Sequence, residues 1–168
     1  MTEPTALPRS QEDLEAHIPY LVNRLANQGQ PVQNRLLTES GSNLVSLRAL
    51  SILHIEDGLT INEIAARTFM EQSSTSRAID AMVDQGLVER RVPEHDQRRR
   101  EIVLLPAGRE RLQQGWPAMG AYFEALCEGV DADELAICRK ALMKMLANLD
   151  TMRTATRQDR VTKNRQRD

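Results

Sequence analysis

At Gly86 the hydrophobic period of this chain changes, and that change constrains the fold more than any other feature. Upstream, Ala78, Ile79, Met82 and Val83 recur at helical spacing. Downstream, Leu87-Val88-Glu89-Arg90-Arg91-Val92 and Arg100-Glu101-Ile102-Val103-Leu104 read with a period near two, the period of strands. Glycine just past the last helical residue supplies the left-handed cap that ends the helix. The two runs predict a hairpin whose exposed tip is the Pro-Glu-His-Asp-Gln-Arg-Arg segment between them.

Before that helix, Thr60-Ile61-Asn62-Glu63 has the form of a capping box, in which hydroxyl and carboxylate each satisfy a free amide. It predicts a short helix over 61–68, a tight connection through Phe69 and Met70, and a second helix from about Gln72. Two short helices in succession make a helix-turn-helix, and the appended hairpin makes it a winged helix.

The rest of the chain is predicted to be helical. Leu14, Ile18, Leu21, Val22 and Leu25 keep helical spacing; Gly29 and Pro31 then predict a kink or break, with a second piece through Leu36 and Leu37. A helix over 45–56 buries Leu47, Leu50 and Leu53 and ends at Asp57-Gly58. Over 107–127, Leu112, Met119 and Leu126, and Trp116, Phe123 and Val130, recur seven apart, the spacing of a helix-packing seam. Asp131-Ala132-Asp133-Glu134 looks like a second capping box, followed by a helix burying Leu135, Cys138, Leu142, Met145 and Leu149. The fold class is therefore mainly α with a small β-hairpin wing. Its expected parts are a flexible tail (1–10), dimerisation helices (11–42), the winged helix-turn-helix (43–105), further dimerisation helices (106–150) and a flexible basic tail (151–168). The outer helices carry more apolar face than the winged module covers, which points to a symmetric dimer.

Composition narrows the function. The chain is 168 residues long, 40% hydrophobic and 27% charged, within the range of folded, water-exposed proteins. Its N-terminus lacks the pattern of a secretion signal and no apolar run is long enough to span a bilayer, so a cytoplasmic protein without membrane contact is expected. His17, His54 and His95 lack metal-ligand spacing, and there is no phosphate-binding glycine loop or nucleophile elbow. Neither catalysis nor a cofactor is expected. The formal charge is -2, yet Arg90, Arg91, Arg98, Arg99 and Arg100 crowd the wing against only Glu94 and Asp96. The positive charge is local, as a nucleic-acid footprint would be.

Serine and threonine are indifferent helix formers, yet four hydroxyls and an arginine fill positions 73–77 at the start of the second short helix. A helix N-terminus exposes free amides and a positive dipole end, where hydroxyls can donate to phosphate oxygens. Arg77, one turn in, can reach a guanine edge or the backbone. Gln72, Ser73, Ser74, Ser76 and Arg77 are thus candidate DNA contacts, together with Arg98 and Arg99 of the wing, which can enter a narrow minor groove.

The stretch from Leu59 to Gly108 resembles the winged helix of the MarR family of bacterial transcriptional regulators. The helix pair, the Gly-Leu-Val entry to the wing, the Asp-x-Arg of Asp96 and Arg98, and the Pro-Ala-Gly that follows carry the resemblance. It departs at Leu105, where the family usually has a threonine capping the next helix. The resemblance implies that Arg98 enters the minor groove and Asp96 helps to orient it. It also implies an obligate homodimer, a pseudopalindromic double-stranded operator, most often repression, and release by a small aromatic or carboxylate-bearing effector bound between the dimerisation helices and the winged module. His17, Tyr20 and Arg24 share one helical face and suit either such a pocket or the dimer surface. His54 and Trp116 are further pocket candidates. Alternatives are a redox-responsive regulator acting through Cys127 or Cys138, and a winged helix used as a protein-interaction module.

Overall fold

The computed structural model describes residues 7–94 and 96–165, with side chains described through Thr154. His95 at the hairpin tip, and residues 1–6 and 166–168 of the two expected tails, lie outside the described residues. The order of elements is α1 (Gln11–Glu15), α2 (Ile18–Thr38), α3 (Leu44–Ile55), α4 (Ile61–Thr68), α5 (Gln72–Asp84), β1 (Val88–Arg91), β2 (Glu101–Leu104), α6 (Pro106–Leu126) and α7 (Ala132–Arg165). The chain divides into two compact units, residues 1–125 and 126–168.

The first unit holds the winged helix. Thr60 and Glu63 form the expected capping box, the Thr60 amide donating to Glu63 Oε2 (2.8 Å) and the Glu63 amide to Thr60 Oγ1 (3.3 Å). Leu50, Leu53, Leu59, Ile64, Ile79, Met82, Val88 and Ile102 are wholly or almost wholly buried in one cluster joining α3, α4, α5 and the hairpin. Each such side chain contributes about 1.5–3 kcal/mol of burial, so this cluster fixes how α5 and the wing sit together. Gly86, at φ +67°, ends α5 with the Leu87 amide returning to the Met82 carbonyl (2.9 Å).

The wing is shorter than the sequence pattern predicts. β1 and β2 pair antiparallel from Val88↔Leu104 to Arg91↔Glu101. On its other side β2 meets Leu59, whose carbonyl accepts from the Ile102 amide (2.8 Å). Asp57 Oδ1 accepts from the Leu104 amide (2.8 Å). The hairpin is therefore tied at its root to the segment that enters α4.

Of the kink or break expected at Gly29 and Pro31, the break is not there: α2 runs through both. Pro31 removes only one backbone bond, and Gly29 is buried where the Tyr122 hydroxyl of α6 lies directly on it, so packing outweighs local propensity. The interruption falls earlier, at Ala16-His17, and Pro19 then stands in the first turn of the new helix, where its missing N–H costs nothing. Leu112 and Gly115 of α6 are buried, whereas Trp116, Phe123 and Leu126 are exposed in the protomer.

In the second unit, the Asp131 amide donates to Glu134 Oε2 (3.0 Å) at the start of α7. In the protomer the residues expected to be buried on this helix stand open: Leu142, Met145, Leu149 and Cys138 are exposed and Leu135 is half-buried. The expected flexible tail from 151 continues α7 to Arg165, since no glycine or proline follows Gly129 to stop it.

Candidate nucleic-acid interface and ligand cavities

α5 opens without a side-chain cap. Glu71 stands at the N-cap position and makes no side-chain capping bond. Its carbonyl receives the amides of Ser74 and Thr75 (both 3.0 Å), which leaves the amides of Gln72 and Ser73 unpaired among the described residues. Of the four hydroxyls, only Thr75 is spent inside the protein: it is buried and donates to the Glu71 carbonyl (3.1 Å). Ser73 is exposed, Ser74 and Ser76 are half-exposed, and none of the three hydroxyls has a partner among the described residues. Gln72 is exposed beside them. Arg77 is exposed too, with Nε resting on the Ser73 carbonyl (3.2 Å) and its terminal nitrogens without a partner among the described residues. The first turn of α5 thus presents open amides, hydroxyls and a guanidinium to solvent, as an anion-binding helix start does.

The wing arginines divide into two kinds. Arg98 is exposed, and its guanidinium has no partner among the described residues. Asp96 Oδ1 accepts from the Arg98 backbone amide (2.9 Å), so the aspartate sets the turn from which Arg98 projects. Arg99, expected to face DNA, turns inward instead. It donates from Nε to Glu101 (3.1 Å) and from a terminal nitrogen to Glu63 (2.9 Å) and to the Gly58 carbonyl (3.2 Å). Arg90 is paired with Asp80 of α5, Arg91 with Glu101 (3.2 Å), and Arg100 with the Gln97 carbonyl (2.7 Å). The carboxyl of Glu63 lies below its ordinary value, chiefly through the hydrogen bond from the Thr60 amide, with further help from the Thr60 hydroxyl and Arg99. The sequence reading missed Glu63 and Glu101 as partners. A carboxylate, Glu101, opening the otherwise apolar run Ile102-Val103-Leu104 was the available signal.

Two cavities lie beside α3 and α6. One, of about 480 Å³, is lined by His54, Ile55, Arg109, Gln113, Trp116 and Pro117, among others. Arg109 Nη1 stands 3.3 Å from His54 Nδ1, a contact in which the guanidinium can only donate. The other, of about 590 Å³, reaches from Leu47 and Arg48 past Trp116 to Arg67 and Phe69 at the end of α4. Ser51 and Trp116 line both. The structure thus brings His54 and Trp116 together at one cavity, whose lining does not include the other three candidates. His17 is the N-cap residue of α2 rather than part of its face, Tyr20 is half-buried on α2, and Arg24 is paired with Glu15 (3.2 Å). None of the three lines either cavity. Cys127 and Cys138 are free thiols, half-buried and exposed respectively.

This geometry has counterparts among known proteins. A sequence profile of the MarR family matches residues 40–99. The crystal structure of a MarR-family transcriptional regulator from Silicibacter pomeroyi is 36% identical, superposes with a TM-score of 0.70, and the match covers 80% of this chain and 91% of that one. The chain belongs to the MarR family of transcriptional regulators. An uncharacterized HTH-type transcriptional regulator of Bacillus subtilis (strain 168), YsmB, is 33% identical over 87 residues, which is 52% of this chain and 60% of that relative's length. BpsR of Bordetella bronchiseptica, whose structure describes regulation of its DNA binding by 6-hydroxynicotinic acid, shares the fold at 16% identity and TM-score 0.72 over 83% of this chain and 97% of that one. Among the described residues no helix is long and apolar enough to cross a membrane.

Proposed function

We propose that this MarR-family chain is a homodimeric repressor that binds a pseudopalindromic operator and is released by a small aromatic anion. The observation that carries the DNA contact is the uncapped start of α5, whose amides and Ser73, Ser74 and Ser76 hydroxyls are left for an outside acceptor. In this reading α5 enters the major groove, Arg77 reads a base edge or holds phosphate, and Arg98 enters the flanking minor groove. A second copy supplies the other half-site. It also covers apolar side chains that stand exposed in the protomer, such as Ile18, Leu21 and Leu25 on α2 and Ile137, Met143 and Leu146 on α7.

The cavities beside α3 and α6 support the effector. Arg109 and His54 offer polar recognition within a wall of Ile55, Leu112, Trp116 and Pro117, which suits a flat apolar molecule bearing a carboxylate or phenolate. BpsR, regulated by an aromatic acid, makes that class a reasonable first choice for screening. The second cavity touches Phe69, three residues before α5, so an occupant there acts on the turn that aims the recognition helix. It releases DNA only to the extent that it prefers the non-binding arrangement of the dimer.

The test is binding to a labelled duplex from the intergenic region upstream of the protein's own gene, titrated against salt and unrelated DNA. The expected result is a steep salt slope, strong preference for the upstream duplex, and loss of about tenfold or more in affinity for Arg98→Ala with the dimer intact. Equal, weak binding to both duplexes would refute the reading and favour a protein-interaction module.

A further inference from the structure

Arg99 sits one peptide bond from Arg98, and its guanidinium gathers three segments of the protein. Gly58 belongs to the stretch entering α4, Glu63 to the first turn of α4, and Glu101 to the first residue of β2. The Glu101 side chain is only 11% exposed and also takes a hydrogen bond from Arg91 on the paired strand (3.2 Å). Both strands of the wing are thereby tied to the helix-turn-helix through one cluster of charges. Breaking such a cluster leaves a poorly solvated carboxylate with fewer partners, so its geometry is held tightly.

We infer that Arg99 is a positioning residue for DNA binding: it clamps the wing root to α4 and so fixes the point from which Arg98 leaves the protein. This rests on the DNA-binding reading above. Consecutive Cα atoms are about 3.8 Å apart, so anchoring Arg99 at three acceptors confines the origin of the Arg98 side chain to a small volume. Arginine is the residue for this task because its planar fork carries five donors that reach separate acceptors, whereas lysine offers a single point charge. The same cluster holds Glu63, whose carboxylate closes the capping box of α4, so the wing and the helix-turn-helix share one anchoring group. The sequence alone suggests a different role for Arg99, a direct DNA contact beside Arg98, and the two roles give different measurements.

The experiment is a double-mutant cycle of Arg98→Ala with Arg99→Met on the full-length protein, read as affinity and salt slope for the upstream duplex. Arg99→Met alone is expected to weaken binding about tenfold, on the order of the Arg98→Ala loss. In the Arg98→Ala background, adding Arg99→Met is expected to change affinity less than about twofold and to leave the salt slope unchanged, because the clamp then has nothing to aim. Arg99→Lys, which keeps the charge, is expected to lose affinity as well. A further loss in the double variant, with the slope falling by about one, would show that Arg99 touches phosphate and would overturn the inference. If Arg99→Met does not fold, Glu63→Gln keeps the side-chain acceptor of the capping box while weakening the clamp, and its cycle with Arg98→Ala reads the same coupling. No effect of Arg98→Ala alone would defeat the DNA-binding reading of the wing itself, a result distinct from additive losses.

Discussion

Gly108→Ala is expected to destabilise the protein although it replaces a helical glycine with the best helix former. In an exposed helix that exchange gains about 1 kcal/mol. At Gly108 the new Cβ would press into the Leu87 carbonyl oxygen and stand 2.7 Å from Leu104 Cδ1. Carbon atoms rest at about 3.5–4.0 Å, so a gap of about 1 Å has to open, and one obstacle is backbone rather than the end of a flexible side chain. The Leu87 carbonyl also accepts from the Leu105 amide (3.1 Å), so moving it strains the junction of α5, β1 and α6. Overpacking of this kind costs about 1–3 kcal/mol, and a backbone obstacle belongs in the upper half of that range. The net expectation is a loss of about 1–2 kcal/mol, or roughly 3–6 °C in melting temperature for a chain of this size. Gly120→Ala, in the same helix, has nothing within 4 Å of its Cβ and supplies the control, with a gain of up to about 1 kcal/mol. Urea denaturation of both variants at one fixed protein concentration tests the pair, since a dimer's stability depends on concentration. Gly108→Ala as stable as the parent would refute the claim that close approach at this position, rather than helix propensity, decides the sign.

Phe69 lies in the left-handed region at φ +55° with its side chain 85% exposed, so Phe69→Gly is expected to gain about 0.5 kcal/mol, the relief of a strained backbone less the extra entropy of glycine. A loss above about 1 kcal/mol in the same denaturation assay would mean that the ring is buried in the assembled protein. Asp57→Ala removes the acceptor of the buried Leu104 amide and is expected to cost about 1–3 kcal/mol, while Asp57→Asn keeps an acceptor and costs less; equal losses would refute the role of that bond. Glu63 has a folded pKa below its ordinary 4.5, so its contribution is present above that value and lost as pH falls through the lowered one. Glu63→Gln should therefore be less stable than the parent at neutral pH, with the gap closing below about pH 4.5; a gap independent of pH would show that its charge is not what stabilises the fold.

The winged module was legible because each of its boundaries carries its own chemistry. Thr60 and Glu63 start α4, Gly86 stops α5, and the change of period at that glycine starts the hairpin. These are local signals, and local signals survive folding when nothing distant contradicts them. At Gly29 and Pro31 something does: Tyr122, more than ninety residues away, packs on the glycine, and α2 passes straight through a pair that reads as a break. The same limit governs the candidate site. That Ser73, Ser74 and Ser76 are available could be argued from their crowding, since hydroxyls at a helix start have few uses. Whether an individual wing arginine is available could not. Arg98 and Arg99 are identical in composition and adjacent in sequence, and they are separated only by acceptors at Gly58, Glu63 and Glu101 that the fold assembles from afar. A run of arginines therefore states how much positive charge a surface can offer, and the carboxylates brought against it decide how much of that charge is left for a partner. Here Glu101, Glu63 and Asp80 engage Arg91, Arg99 and Arg90, while the charges of Arg98 and of Arg100, which bonds only carbonyls, are left without a carboxylate among the described residues. A net charge of -2 is therefore compatible with a locally positive wing: three of its arginines are held by Asp80, Glu63 and Glu101, and Arg98 projects from the frame they form.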